Sequence, residues 1–174
     1  MKTTTLIGLL LFAGMNANAD VTRHPLPNNS TFPISRAVEV TSDTTLIYHS
    51  GTVPGAEKPD AERGSREYYG DTETQALNVF SRMEASFKEL GVGFGDVIKM
   101  TVFLVGDPAM DGKMDFGGFM KAYTKYFGTE DQPNKPARSA FQIAGLAGGP
   151  GMLAAEWWAA QVKHQMAPPA ARET

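Results

Sequence analysis

The most regular pattern in the chain lies between residues 71 and 91. Ala76, Phe80, Met83, Phe87 and Leu90 recur at steps of four and three, which lines one face of a helix. Asp71 is placed to cap its start, Glu73 falls in the first turn where the helix dipole favours an acid, and Gly91 stands where a C′ glycine ends a helix. The period then shortens. From Asp96 to Val105, Ile98, Met100, Val102 and Leu104 alternate with Val97, Lys99, Thr101 and Phe103, which predicts a strand apolar on most of both faces. Phe116, Phe119, Met120, Tyr123 and Phe127 return to helical spacing. Arg138 to Ala144 and Met152 to Val162 read as two more strands, separated by the glycine-rich segment 145–151. Nearer the start, Arg36 to Val40 and Thr45 to Ser50 are β-prone runs around Thr41-Ser42-Asp43-Thr44, which predicts a hairpin. Pro54, Gly55, Pro59, Gly64 and Gly70 among many charges make 54–70 a solvated loop.

The order β-β-α-β-α-β-β predicts an α+β fold, with two helices packed on one face of a mixed sheet. The opposite sheet face also carries apolar residues, and no helix remains to cover it. A contact between subunits is the expected cover.

The first residues read as an address. Lys2 gives a positive start, Leu6 to Met15 an apolar run, and Ala17-Asn18-Ala19 a small-x-small cleavage pattern. A run of ten is too short for a bilayer core that needs about twenty residues, so a secretory signal peptide is expected, not an anchor. The expected divisions are a signal peptide over 1–19, an extended lead-in over 20–35, a folded domain over 36–163 and a mobile tail over 164–174. A secreted, periplasmic location follows from the leader.

Composition narrows the chemistry. The chain has 174 residues, 42% apolar and 20% charged, with a net charge of −3 that becomes −4 when the leader takes Lys2 with it. That charge supplies no broad cationic field for nucleic acid. The absence of cysteine removes thiol nucleophiles, disulfides and cysteine-based metal sites, and leaves an exported chain nothing to mispair. His24, His49 and His164 lack metal-ligand spacing, so no metal is expected. Gly91-Val92-Gly93-Phe94-Gly95 follows a helix and precedes a strand, the reverse of a dinucleotide loop, and reads as a plain turn. His49 and Ser50 are adjacent on a strand and point to opposite faces, so they form no direct dyad. Trp157 and Trp158 likewise face opposite ways, one toward the helices and one toward a subunit contact.

Two charges stand inside apolar strands. Arg138 opens the run Ser139-Ala140-Phe141-Gln142-Ile143, and Glu156 sits between Ala155 and Trp157. Burying either costs several kcal/mol, about 3–5 when one partner is missing, so each needs a partner. A structural bridge between them and a guanidinium fork for a ligand carboxylate, with a carboxylate acting on water, both fit the pattern.

Pro136-Ala137-Arg138-Ser139 before an apolar strand resembles the signature of the RidA/YjgF family (reactive intermediate deaminase A, also called L-PSP endoribonuclease). Ser35-Arg36-Ala37-Val38, Ser50-Gly51, the helix from Asp71 to Gly91, the strand Val97 to Leu104 and the Tyr123…Phe127 helix follow in the same order, covering residues 33–163. The resemblance implies a chorismate-mutase-like fold and a homotrimer with ligand clefts between subunits. It implies cofactor-independent hydrolysis of reactive 2-imino and enamino acids to 2-oxo acids and ammonia, as in 2-iminobutanoate/2-iminopropanoate deaminases. By motif match Arg138 would hold the substrate carboxylate, and Ser35 and the Gly51 backbone would line the cleft; in the deaminase reading Glu156 orients the water. A non-catalytic trimeric binder of small carboxylic acids is the alternative. No cofactor, nucleic acid or membrane partner is implied, and ribonuclease action rests on the older name alone. Three departures stand out: Ile34 where the family often has tyrosine, Met120 where it has asparagine, and one acid in the last strand where two are usual. The glycine-rich segment leaves open whether Glu156 or Ala154 takes the water-activating position.

Overall fold

The computed structural model describes residues 21–42 and 44–162. The expected signal peptide, the tail over 164–174 and His164 lie outside the described residues.

The lead-in holds a strand, β1 (Val21–His24), which pairs antiparallel with β2 (Ala37–Val40). The predicted hairpin between β2 and β3 (Thr45–Thr52) does not form as a pair. The chain does turn there, with the Thr44 N–H donating to the Thr41 carbonyl at 3.3 Å. Thr41 to Thr44 lacks the Asn-Gly or Asp-Gly of a tight two-residue hairpin, and β3 pairs instead with β7 (Ala154–Val162). Arg23 fixes the small β1–β2 sheet to the main body through hydrogen bonds to the Gly95 and Val97 carbonyls, both 2.9 Å. Burial there lowers its pKa, and the nearby Asp96 charge opposes the shift.

Within the 54–70 loop a short helix, α1 (Arg66–Tyr69), is capped by Ser65. The long predicted helix is α2 (Thr72–Leu90), with Asp71 accepting from the Thr74 N–H at its start and Gly91 left-handed at φ 72° at its end. Ala76, Val79, Phe80, Met83 and Phe87 are buried. Leu90, expected on the same face, is 42% exposed, because Val92 and Phe94 beyond the helix take up the packing at that end.

The central strand β4 (Val97–Asp107) pairs antiparallel with β7 and parallel with β6 (Ala137–Ile143), giving the order β3-β7-β4-β6 across a mixed sheet. Its register slips between Val97 and Lys99 against β7. Such a bulge opposes two residues to one and shifts the alternation. Val97 therefore joins Met100, Val102 and Leu104 in the core, where the simple alternation had placed Ile98. A two-residue strand, β5 (Lys113–Met114), pairs with the end of β4. The second helix, α3 (Phe116–Tyr123), is capped by Asp115 and is shorter than its apolar pattern. Phe127 lies past the helix yet is 1% exposed, stacked on Tyr123 at 4.8 Å between centroids.

The core lies between α2, α3 and one face of the sheet. On the strands' other residues, Tyr48 is 79% exposed and Phe141 51% exposed, and Phe141 stacks on Phe103 at 6.4 Å. The α+β prediction, two helices on one face of a mixed sheet, describes the molecule.

The glycine-rich segment docks on α1. The Gly151 N–H donates to the Gly64 carbonyl at 2.7 Å, and Tyr69 donates its hydroxyl to the Gly148 carbonyl at 3.2 Å. Gln75, fully buried on α2, ties this segment to the sheet. Its amide nitrogen donates to the Gly70 and Gly151 carbonyls, and its oxygen accepts from the Leu153 and Ala154 N–H groups.

Candidate functional site

Arg138 is the second residue of β6 and pairs in register with the buried Met100 of β4. Register partners share a sheet face, so Arg138 emerges on the side covered by α3. Its guanidinium carbon lies 4.3 Å from the Tyr123 ring centroid, 5.2 Å from Phe119, 5.5 Å from Phe116 and 5.4 Å from Phe32. Ring faces attract a cation through their quadrupole, and more strongly once water is excluded. Its Nη1 also donates to the Met120 sulfur at 3.1 Å. The position where the family pattern carries asparagine therefore touches the arginine directly, through a thioether that is only a weak acceptor.

Ser35 is brought to the same end of β6. It forms an isolated parallel bridge with Ala137, its N–H donates to the Pro136 carbonyl at 3.0 Å, and its buried hydroxyl donates to the Lys135 carbonyl at 2.6 Å. Tyr123 holds the preceding turn by donating its hydroxyl to the Pro33 carbonyl at 2.7 Å. Phe32 and the half-buried Ile34 belong to this turn. Sequence reading missed Phe32, because it lies in a lead-in with no periodicity; its position before the Ser35 motif was the available signal.

The other two named residues lie elsewhere in the chain. Gly51 is on β3, exposed, and β3 is separated from β6 by β7 and β4. At about 4.8 Å per strand the two edges stand about 14 Å apart, so one chain does not place Gly51 beside Arg138. Glu156 pairs in register with Val102 on one side and Thr52 on the other. Arg138 aligns with Met100 two residues away, which puts the Glu156 and Arg138 backbones about 12 Å apart by strand spacing and rise. The Glu156, Trp157 and Trp158 side chains lie outside the described part.

His49, which cannot reach Ser50 as a dyad, instead has Nε2 2.8 Å from the Ser86 hydroxyl and Nδ1 2.6 Å from the Ser50 carbonyl. Among the described residues no cluster of three His, Asp or Glu could hold a metal ion, and no helix is long and apolar enough to cross a membrane.

The sequence model of the family described as Endoribonuclease L-PSP matches residues 27–154. A RutC family protein of Pyrococcus abyssi is 31% identical over 66% of this chain and 76% of its own length. TdcF of Escherichia coli K12, named as a candidate reactive intermediate deaminase, is 28% identical over 59% of this chain and 69% of its own. Among solved structures, the Rid family protein YyfB of Yersinia pestis superposes with a TM-score of 0.60 at 16% identity, covering 83% of this chain and all of that one. That likeness is one of fold, the chorismate-mutase-like arrangement of helices on a mixed sheet. The Ser35 turn, the Pro136 to Ser139 strand entry and the two helices are thus parts of one inherited frame, and the chain belongs to the RidA/YjgF family of L-PSP endoribonuclease-like proteins.

Proposed function

We propose that the protein is a cofactor-independent deaminase that hydrolyses reactive 2-imino and enamino acids to 2-oxo acids and ammonia. The observation that carries this reading is the setting of Arg138, a cation at a strand entry whose Nη1 rests on the weak Met120 acceptor. A carboxylate forms charge-assisted, often bidentate hydrogen bonds with a guanidinium, far stronger than its contact with a thioether. With the carboxylate held there, the imine carbon is already electrophilic. Water adds its oxygen to that carbon while Glu156 takes one of its protons and passes it to the nitrogen; the proton of the new hydroxyl then follows to the nitrogen as the C–N bond breaks, so ammonia leaves and the C=O bond forms. Ser35 shapes the cleft through its backbone turn. Gly51 enters from a neighbouring copy, because its own strand lies on the far edge of the sheet. A homotrimer with clefts between subunits meets that need and also covers the exposed Tyr48 and Phe141 face. The leader over residues 1–19 would direct the protein to the periplasm.

The test is release of ammonia or 2-oxo acid from a freshly generated 2-imino acid. A rate unchanged by Arg138→Ala or Glu156→Ala overturns the assignment of sites, and a monomer mass in light scattering overturns the shared cleft. The Met120 contact favours one second reading, a trimeric carboxylate binder without turnover. Binding of a 2-oxo acid that vanishes in Arg138→Ala, with no ammonia from any 2-imino acid, would establish it.

A further inference from the structure

Four rings surround Arg138, but they do not serve one purpose. Phe119 and Tyr123 are fully buried in the core between helix and sheet. Phe32 is 39% exposed, Phe116 is half-buried, and both stand within 5.5 Å of the guanidinium carbon. Phe32 comes from the lead-in turn and Phe116 from the first residue of α3, so two elements distant in sequence converge at the same cation. Met120, also half-buried, adds a flexible thioether to the wall.

We propose that the ligand anchored by Arg138 carries an aromatic side chain, which packs against Phe32 and Phe116. The proposal rests on the carboxylate-binding reading given above and adds the class of the group beyond the carboxylate. In a 2-oxo or 2-imino acid the side chain begins two bonds from the carboxylate carbon. A carboxylate within about 2.8 Å of the guanidinium nitrogens therefore delivers its side chain among these rings. A methyl group would leave the exposed part of Phe32 in water. A phenyl group would cover it, removing apolar surface from water and adding an offset-stacked or edge-on ring contact. The rings are apolar, and Met120 offers only its weak sulfur acceptor, so a polar side chain would lose water without comparable hydrogen bonds in return.

The test is calorimetric titration of the full-length protein with phenylpyruvate and with pyruvate, repeated in Phe32→Ala and Phe116→Leu. The expected result is that phenylpyruvate binds at least about tenfold more tightly than pyruvate. In Phe32→Ala the ratio of the two affinities should collapse toward one, and in Phe116→Leu it should fall. Equal affinities in the wild-type protein, or a ratio untouched by both substitutions, overturn the proposal. Binding of neither acid overturns it together with the carboxylate reading. Ammonia release from the corresponding imino acids is scored separately: its absence defeats the deaminase reading, while the affinity ratio still decides the side-chain class.

Discussion

The Met120 sulfur lies 3.1 Å from Nη1 of Arg138, so the arginine at the entry of β6 is met from α3 by a thioether while aromatic rings surround it. This environment is specific for a planar cation. A guanidinium can lie over ring faces and still present its edge to a planar carboxylate, whereas a lysine ammonium offers a compact point charge.

Arg138→Lys should therefore behave almost as Arg138→Ala in ligand binding. Losing charge-assisted hydrogen bonds worth about 2–3 kcal/mol lowers 2-oxo-acid affinity about 30- to 150-fold. Titration of both variants checks this, and full affinity in Arg138→Lys would show that charge alone suffices.

Gln75 is the polar group on which the glycine-rich segment depends. Its amide serves the Gly70 and Gly151 carbonyls and the Leu153 and Ala154 N–H groups, all through one fully buried side chain. Gln75→Leu fills similar volume and leaves these backbone groups without their partner, at about 1–3 kcal/mol for a buried group left unsatisfied. We expect a loss of about 3 kcal/mol or more in denaturant unfolding. A midpoint within error of wild type would mean that the segment finds other partners.

Two glycines should respond very differently to alanine. Gly91 is left-handed at φ 72°, and a Cβ there would meet nothing within 4 Å, so Gly91→Ala meets only backbone strain of about 1 kcal/mol. At Gly151 a Cβ would run into the Ser65 carbonyl group, and backbone cannot step aside as a side chain can. Gly151→Ala should lower the melting temperature several times more than Gly91→Ala, and thermal unfolding of the pair decides it.

Asp71 links stability to acid. The Thr74 N–H, then the Thr74 side chain, hold its carboxyl below the ordinary value of 3.8, against a smaller opposing effect of burial. A carboxyl depressed on folding stabilises the native state above its unfolded pKa and loses that contribution as pH falls through the folded value. Asp71→Ala should cost about 1 kcal/mol near neutral pH, as for other N-caps. The difference from wild type should shrink below about pH 4 in acid unfolding curves. A difference independent of pH would assign the cap's effect to something other than its charge.

Much of the local frame was legible in the chain itself. The helix between Asp71 and Gly91 carries its start, its buried stripe and its stop within one stretch, and the strand from Val97 carries its two-residue period. The site was legible only in part. Arg138 stood out as a charge inside an apolar strand, and Ser35 entered through the family signature. Phe32 and Gln75 carried no local mark, because an exposed loop phenylalanine and a helical glutamine are ordinary until their neighbours are known.

What the sequence determined by itself is therefore what neighbouring residues settle among themselves. Caps, periods and turns act over a few bonds, and they specified an α+β chain with a charged residue at the start of β6. The tertiary structure alone decided that β2 pairs with β1, that a bulge turns Val97 inward, and that Gly51 stands on the sheet edge opposite Arg138. It also decided that Phe32, Phe116 and Met120 converge on that arginine. Those outcomes depend on strand pairing and close packing between distant segments, and no local pattern carries the information of which segment will arrive.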